Sequence, residues 1–292
     1  MATLSQWVEG ARPRTLPAAV APVLVGTGAA FALSRANAAN ALLALLVSLA
    51  LQVGVNYAND YSDGIRGTDA DRVGPLRLVG SGAASAGSVR LAAFASFGVA
   101  VLAGLVLAAT TSWWLVPVGA LAVLAAWFYT GGSMPYGYRA LGEVMVFLFF
   151  GLVAVAGSYY VQTERVTWEA FVLAVPVGLL AAAILVVNNV RDLETDRRAG
   201  KRTLAVRLGR PRTRTIFGLM VYLAFVTVPL PWVLGALSPW LLLPWLLFPA
   251  GVMLVRLVRT HTDGPTLNRA LAHTGMLQLG FCVLLSVGLL LS

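Results

Sequence analysis

The sequence predicts an all-α polytopic membrane protein of nine transmembrane helices with its N-terminus in the cytoplasm. Three observations carry that prediction. Of 292 residues, 59% are hydrophobic and only 11% are charged, against about 25% charged in an ordinary soluble domain. The apolar residues fall in long uninterrupted runs, and a bilayer span needs about 20 of them. The basic residues gather on one side of the topology that results. Soluble enzyme folds are excluded, and so is an outer-membrane barrel, whose strands would alternate. The mean hydropathy of +0.81 agrees.

Runs free of charge lie at 15–34, 36–58, 91–110, 113–130, 144–162, 170–189, 215–236, 238–255 and 270–292, giving nine candidate helices. With the N-terminus inside, nineteen of the twenty-one Lys and Arg residues fall on the cytoplasmic side; Arg35 and Arg165 fall on the other. This is a strong positive-inside asymmetry. The net charge of +9 is then accounted for by topology and anionic lipid headgroups, without a nucleic-acid partner. The chain reads as one integral-membrane domain, 1–292, in the cell membrane, with cytoplasmic cap loops at about 59–88 and 190–214. No cleavable signal is expected at the N-terminus, where Trp7 reads as an interfacial anchor. The single cysteine, Cys282, lies in an apolar run and offers neither a disulfide nor a thiol metal site.

The chemistry concentrates in the two long connections, which hold seven of the twelve acids. After the second span the chain reads N-Y-A-N-D-Y-S-D-G-I-R-G-T-D-A-D-R, Asn56 to Arg72. If the helix continues, Asn56, Asp60 and Asp63 share one face. After the sixth span it reads N-N-V-R-D-L-E-T-D-R-R-A-G-K-R, Asn188 to Arg202, with Asn188, Asp192 and Asp196 again on one face. The offset is 132 residues for both Asn56/Asn188 and Asp60/Asp192, the mark of a diverged four-helix repeat plus a ninth helix. Hard carboxylate oxygens suit Mg²⁺, which binds through one or two carboxylates plus substrate phosphates. Arg66, Arg72, Arg77, Arg191, Lys201 and Arg202 lie in the same segments and suit phosphate oxygens. Acids for metal and bases for phosphate, beside an apolar bundle, point to a lipid diphosphate. The alternative is that these charges only set topology, but two clusters sharing Asn and spacing argue against it.

These residues resemble the UbiA superfamily of intramembrane prenyltransferases, whose aspartate motifs read approximately N-D-x-x-D-x-x-x-D and D-x-x-x-D. The resemblance rests on A-R-P-R-T-L-P-A at 11–18, N-Y-A-N-D-Y-S-D-G-I-R-G-T-D at 56–69 with R-V-G-P-L-R following, and N-N-V-R-D-L-E-T-D-R-R-A-G-K-R-T-L-A-V-R-L-G at 188–209. The third aspartate of the first motif falls at Gly67; the acids come later, at Asp69 and Asp71. That spacing resembles the branch acting on 1,4-dihydroxy-2-naphthoate. The resemblance implies nine helices around a central cavity that opens laterally to the bilayer, capped by the aspartate loops. It also implies Mg²⁺-assisted loss of diphosphate from a polyprenyl diphosphate and attack by the naphthoate ring, with carboxylate loss, forming demethylmenaquinone. On this reading Asp60, Asp63, Asp192 and Asp196 are the catalytic carboxylates and metal ligands, with Asp69 or Asp71 as a further ligand. Asn56, Asn188, Arg66, Arg72, Arg77, Lys201, Arg202, Arg139, Tyr129 and Arg14 are the candidates for binding diphosphate or acceptor.

Other features have plainer readings. Arg12 and Arg14 serve equally well as a basic flank of the first span. Tyr129, Tyr136 and Tyr138 read as interfacial anchors or as a cation-facing wall. Glu143 starts an apolar helix and favours its N-terminus, and His261 and His273 are too isolated for a metal site. A secondary transporter would place ionisable groups within its spans, and a CDP-alcohol phosphotransferase would continue Asp60–Gly64 with acids that are missing. The orientation is testable. Cysteines placed within 59–88 or 190–214 should resist a membrane-impermeant thiol reagent in intact cells and react once the membrane is opened; labelling of sealed, right-side-out cells would reverse the topology.

Overall fold

A computed structural model describes residues 2–32, 35–68 and 76–292. Its described residues are helical and contain no strand. Seven helices are long and apolar enough to cross a membrane. In chain order, with the two further apolar helices included, the bundle is α1 (Pro17–Ala32), α2 (Ala38–Ile65), α3 (Ala86–Thr110), α4 (Leu115–Phe128), α5 (Gly142–Thr163), α6 (Trp168–Arg191), α7 (Leu204–Val233), α8 (Pro239–Thr260) and α9 (Gly264–Leu290). Each corresponds to one of the nine apolar runs. Two of them depart from a simple span.

The first forms a bent pair: Leu4–Thr15 meets α1 at 49°. Arg12 takes a left-handed backbone (φ 55), and Pro13 and Pro17 each lack the N–H that a continuing helix would use. The second is α4, at 14 residues about 21 Å long, short of the roughly 30 Å hydrocarbon thickness. Exposed Trp113 and Trp114 flank its start.

Two boundaries differ from the sequence expectation. The cap segment at 190–214 is largely helical: Leu193–Arg198 forms a short helix, and α7 begins at Leu204 with a break at Gly209 (φ 77). The first cap segment is shorter than 59–88, because α2 runs on to Ile65 and α3 begins at Ala86. Local caps fix several starts: Asn37 accepts from the Asn40 N–H, Ser85 from Ser88 and Asp263 from Thr266, each satisfying a first-turn donor.

With an apolar solvent outside, helices associate through close packing rather than hydrophobic exclusion. Small residues supply it. A Cβ on Gly26 of α1 would stand 2.6 Å from the Val155 carbonyl oxygen of α5, and one on Gly54 of α2 would stand 2.5 Å from the Phe97 ring of α3. Gly151 of α5 lies so close to α6 that its Cβ would sit 2.6 Å from Gly178 Cα. The chain widens there into a π-type turn, Phe147–Val153, a local irregularity often found beside functional sites. The largest core joins α1, α5, α6, α7, α8 and α9 around Val177, Leu180, Phe217, Phe225 and Phe281.

The glycine contact generates a direct test. Gly151→Val should cost about 1–3 kcal/mol through overpacking and lower the unfolding midpoint in detergent. Gly98→Ala, whose added carbon meets nothing within 4 Å among the described residues, should leave that midpoint unchanged.

Candidate active site

The helices leave a cavity of ≈ 380 Å³ between them. Its two ends differ in chemistry. The deep wall is apolar, built from Val47 of α2, Leu107 of α3, Val118 of α4, and Phe149, Phe150 and Val153 of α5. The other end is polar, lined by Arg12, Asp63, Arg77, Asp192, Asp196 and Lys201, with Asn56, Asn59, Asn188 and Asn189 beside them. The two aspartate segments, remote in sequence, therefore meet at one mouth.

On α2 the polar residues Gln52, Asn56, Asn59 and Asp63 recur at helical spacing and line the cavity. Asp63 is buried, and three segments converge on it. Lys201 Nζ lies 3.2 Å from its Oδ2 and Arg77 Nη2 lies 4.0 Å away, while the Tyr138 hydroxyl donates to its Oδ1. Burial, with the Asp63 charge second, holds the Tyr138 phenol well above its ordinary pKa, so it stays a neutral donor at physiological pH. Lys201 Nζ also stands 4.8 Å from the centre of the Tyr138 ring, a cation–π distance.

Asp60 departs from the expectation that it faces the substrate with Asp63. It is fully buried and does not line the cavity. Its carboxylate accepts the backbone N–H groups of Leu78 (2.8 Å) and Val79 (3.0 Å). It thereby ties the turn that carries Arg77 to α2.

The second cluster is held differently. Helix α6 ends at Arg191, and Asp192 is its cap (φ −89, ψ 6) rather than one turn of a continuous helix. Asn188, Asp192 and Asp196 nonetheless all line the cavity. Arg191 grips Asp192 through two bonds of 2.7 Å and reaches the side-chain oxygens of Asn188 (2.8 Å) and Asn268 (2.7 Å). This fork geometry fixes the carboxylate in place. The Asp196 carbonyl accepts the Lys201 N–H at 2.9 Å, so the cation that meets Asp63 is anchored on the second motif.

Several basic candidates lie elsewhere. Arg66 is exposed and donates to the carbonyls of Thr130 and Gly132. Arg14, Arg139 and Arg202 are exposed and do not line the cavity. Each sits where water or a lipid headgroup solvates its charge more cheaply than an apolar cavity would. Arg12 lines the cavity in place of Arg14, because the left-handed turn at Arg12 swings its side chain back to the Asn56 carbonyl. Arg77, Lys201, Tyr129, Asn56 and Asn188 do line it. Asp69, Asp71 and Arg72 lie outside the described residues. Gln52, Asn59 and Asn189 were not selected from sequence, and Tyr138 reads there only as an anchor or part of a cation-facing wall; the recurrence of polar side chains along α2 at three- and four-residue spacing is the signal that finds the first two.

The model of the UbiA prenyltransferase family matches residues 19–285. The chain belongs to that family. Among curated UbiA relatives, the 1,4-dihydroxy-2-naphthoate octaprenyltransferase of Mycobacterium tuberculosis is 52% identical, over 96% of this chain and 94% of the relative. The enzyme of the same name from Escherichia coli is 37% identical, over 87% and 83%. A UbiA homolog from Archaeoglobus fulgidus, solved with GPP and Mg²⁺, superposes with a TM-score of 0.70 at 15% identity, over 98% and 100% of the two chains. The UbiA fold thus extends across the chain.

Among the described residues no three His, Cys, Asp or Glu side chains form a ready metal cage. The donors that do face the cavity, Asp63, Asp192 and Asp196, are hard oxygens set among Lys201, Arg77 and Arg191. Such a set fits Mg²⁺ arriving with a diphosphate, which itself supplies oxygens. The arrangement separates three roles. Asp63→Ala and Asp192→Ala should each lower prenyl-transfer kcat/KM by about 100-fold or more in folded, membrane-inserted protein. Asp60→Ala should lower the unfolding midpoint as well as activity, because two backbone N–H groups, one buried and one part-buried, lose their acceptor at about 1–3 kcal/mol. Glu194→Ala, an exposed residue 3.1 Å from Arg197, should keep near-normal activity; parallel kinetics and melting of the four variants check the assignment.

Proposed function

We propose that this chain transfers a polyprenyl group from its allylic diphosphate to 1,4-dihydroxy-2-naphthoate, releasing diphosphate and CO₂ on the route to demethylmenaquinone. The observation that carries this reading is the cavity itself, with an acid-and-base mouth and an apolar depth. The identity of the acceptor is supported by the curated relatives that share about a third to a half of their residues with this chain over most of their length. The nineteen-to-two distribution of bases supports a mouth on the cytoplasmic face of the cell membrane.

Lys201 and Arg77, with Arg12 beside them, take the diphosphate oxygens as charge-assisted donors. Substrate binding gives these cations a second anion and loosens their hold on Asp63. Asp63, Asp192 and Asp196 would hold Mg²⁺, which supplies positive charge against the departing diphosphate. The allylic C–O bond then breaks, and its electron pair leaves with the diphosphate. Phe149, Phe150 and Val153 line the cavity where the chain enters the bundle, and this apolar wall keeps water from the allylic cation. Tyr129 and Tyr136 line the same cavity, and aromatic rings attract positive charge at their faces. The naphthoate carbon bearing the carboxylate forms the new C–C bond, and loss of CO₂ from that carbon restores the aromatic ring without removal of a ring proton.

Membranes containing the protein, incubated with labelled polyprenyl diphosphate and a panel of aromatic acids, test the reading directly. The expected result is a decarboxylated, prenylated naphthalenediol formed with Mg²⁺ and lost in excess chelator. A prenylated 4-hydroxybenzoate in its place, or full turnover in chelator, would overturn it.

A further inference from the structure

One polar atom on the cavity wall has no role in holding a diphosphate. Gln52 of α2 is 6% exposed and lines the cavity, yet its Oε1 has no hydrogen-bond partner among the described residues. A buried acceptor left unpaired costs about 1–3 kcal/mol, so such an atom in a binding cavity marks where a ligand donor belongs.

The surrounding hydrogen bonds set the orientation of the amide. The Thr15 hydroxyl gives its one hydrogen to the Arg12 carbonyl at 2.9 Å. Its oxygen then accepts from Gln52 Nε2 at 2.9 Å and from Asn56 Nδ2 at 3.0 Å. A hydroxyl has one donor and two acceptor sites, so Thr15 is fully used. Turning the Gln52 amide over would keep a bond to Thr15 only if that hydroxyl left the Arg12 carbonyl. Asn56 is pinned in turn, since its Nδ2 also donates to the Ala11 carbonyl at 2.8 Å. Gln52 therefore keeps an unpaired acceptor, Oε1, on a side chain that lines the cavity, while one hydrogen of Nε2 is taken by Thr15 and the other is left over.

The two substrates differ sharply in what they can give that acceptor. A polyprenyl diphosphate carries anionic oxygens and a hydrocarbon tail, with no hydrogen-bond donor. The dihydroxynaphthoate carries two hydroxyls. The one beside the carboxylate closes an internal hydrogen bond, which leaves the hydroxyl at ring position 4 as the free donor. Gln52 and Asp63 are eleven residues apart, about 16 Å along α2, so a diphosphate held at Asp63 and a bicyclic ring reaching to Gln52 lie end to end. We infer that Gln52 Oε1 accepts the 4-hydroxyl of the aromatic acceptor, making Gln52 a specificity-determining residue and Thr15 the residue that positions it. The inference rests on the proposed acceptor, and it adds the atom that selects it.

The test pairs a protein change with a ligand change. Purified protein is assayed with 1,4-dihydroxy-2-naphthoate as substrate and with 1-hydroxy-2-naphthoate, which lacks the 4-hydroxyl, as a competitor. In the unaltered protein the competitor should bind about tenfold more weakly than the diol. Gln52→Leu should raise KM for the diol about tenfold, leave KM for polyprenyl diphosphate within twofold, and erase the discrimination between diol and competitor. Gln52→Met, which keeps the length of the side chain, should behave likewise and guards against a folding artefact. Thr15→Val should raise KM for the diol less, since the amide remains but is free to turn. Undiminished discrimination in Gln52→Leu or Gln52→Met would overturn the inference. Failure of the unaltered protein to turn over the diol would instead refute the proposed acceptor.

Discussion

A carboxylate at the edge of an apolar cavity must be compensated, and Asp63 is compensated by two cations and a neutral hydroxyl from three parts of the chain. Lys201 comes from the second aspartate motif, Arg77 from the turn after α2, and Tyr138 from the connection between α4 and α5. Removing one charge from such a set leaves the others buried without compensation. The mouth of the cavity is assembled around that requirement. Asp60 holds the Arg77 turn by two backbone N–H groups, and the second motif anchors Lys201 through the Asp196 carbonyl.

The bilayer sets the other half of the design. Exposed Leu102, Trp114, Leu246 and Met253 would be a liability on a water-soluble surface, but in lipid they are the solvent-facing side. Inside, the contacts at Gly26, Gly54 and Gly151 draw neighbouring helices together, while Phe149 and Phe150 of α5 line the cavity's depth. The result is a cavity that is apolar along its depth and charged at its mouth.

Much of this was legible in the sequence. Each apolar run holds a helix among the described residues, seven of them long and apolar enough to cross a membrane, because lipid-facing and core-facing positions are alike apolar and the pattern survives whatever the packing. The Asn and Asp clusters were legible because charge is scarce in such a chain. What escaped was what each side chain touches. Asp60 shares a helical face with Asp63, yet it turns to the backbone of residues 78 and 79, a partner that helical spacing does not reveal. Arg66 lies inside the first motif but donates to a loop more than sixty residues away. The α6 motif reads as one continuous face, whereas the helix breaks at Asp192 and Arg191 fills the gap. Gln52 reads as one polar residue in an apolar run, and its meaning depends on Thr15, 37 residues earlier.

The central claim is that both aspartate motifs act on one metal–diphosphate unit. Its most direct test is the binding of a non-ionising polyprenyl diphosphate analogue to purified protein, measured with and without Mg²⁺ in the unaltered chain, Asp63→Asn and Asp192→Asn. Mg²⁺ should tighten binding at least about tenfold in the unaltered protein, and either substitution alone should remove most of that gain. Persistence of the full Mg²⁺ effect in both variants would contradict the account.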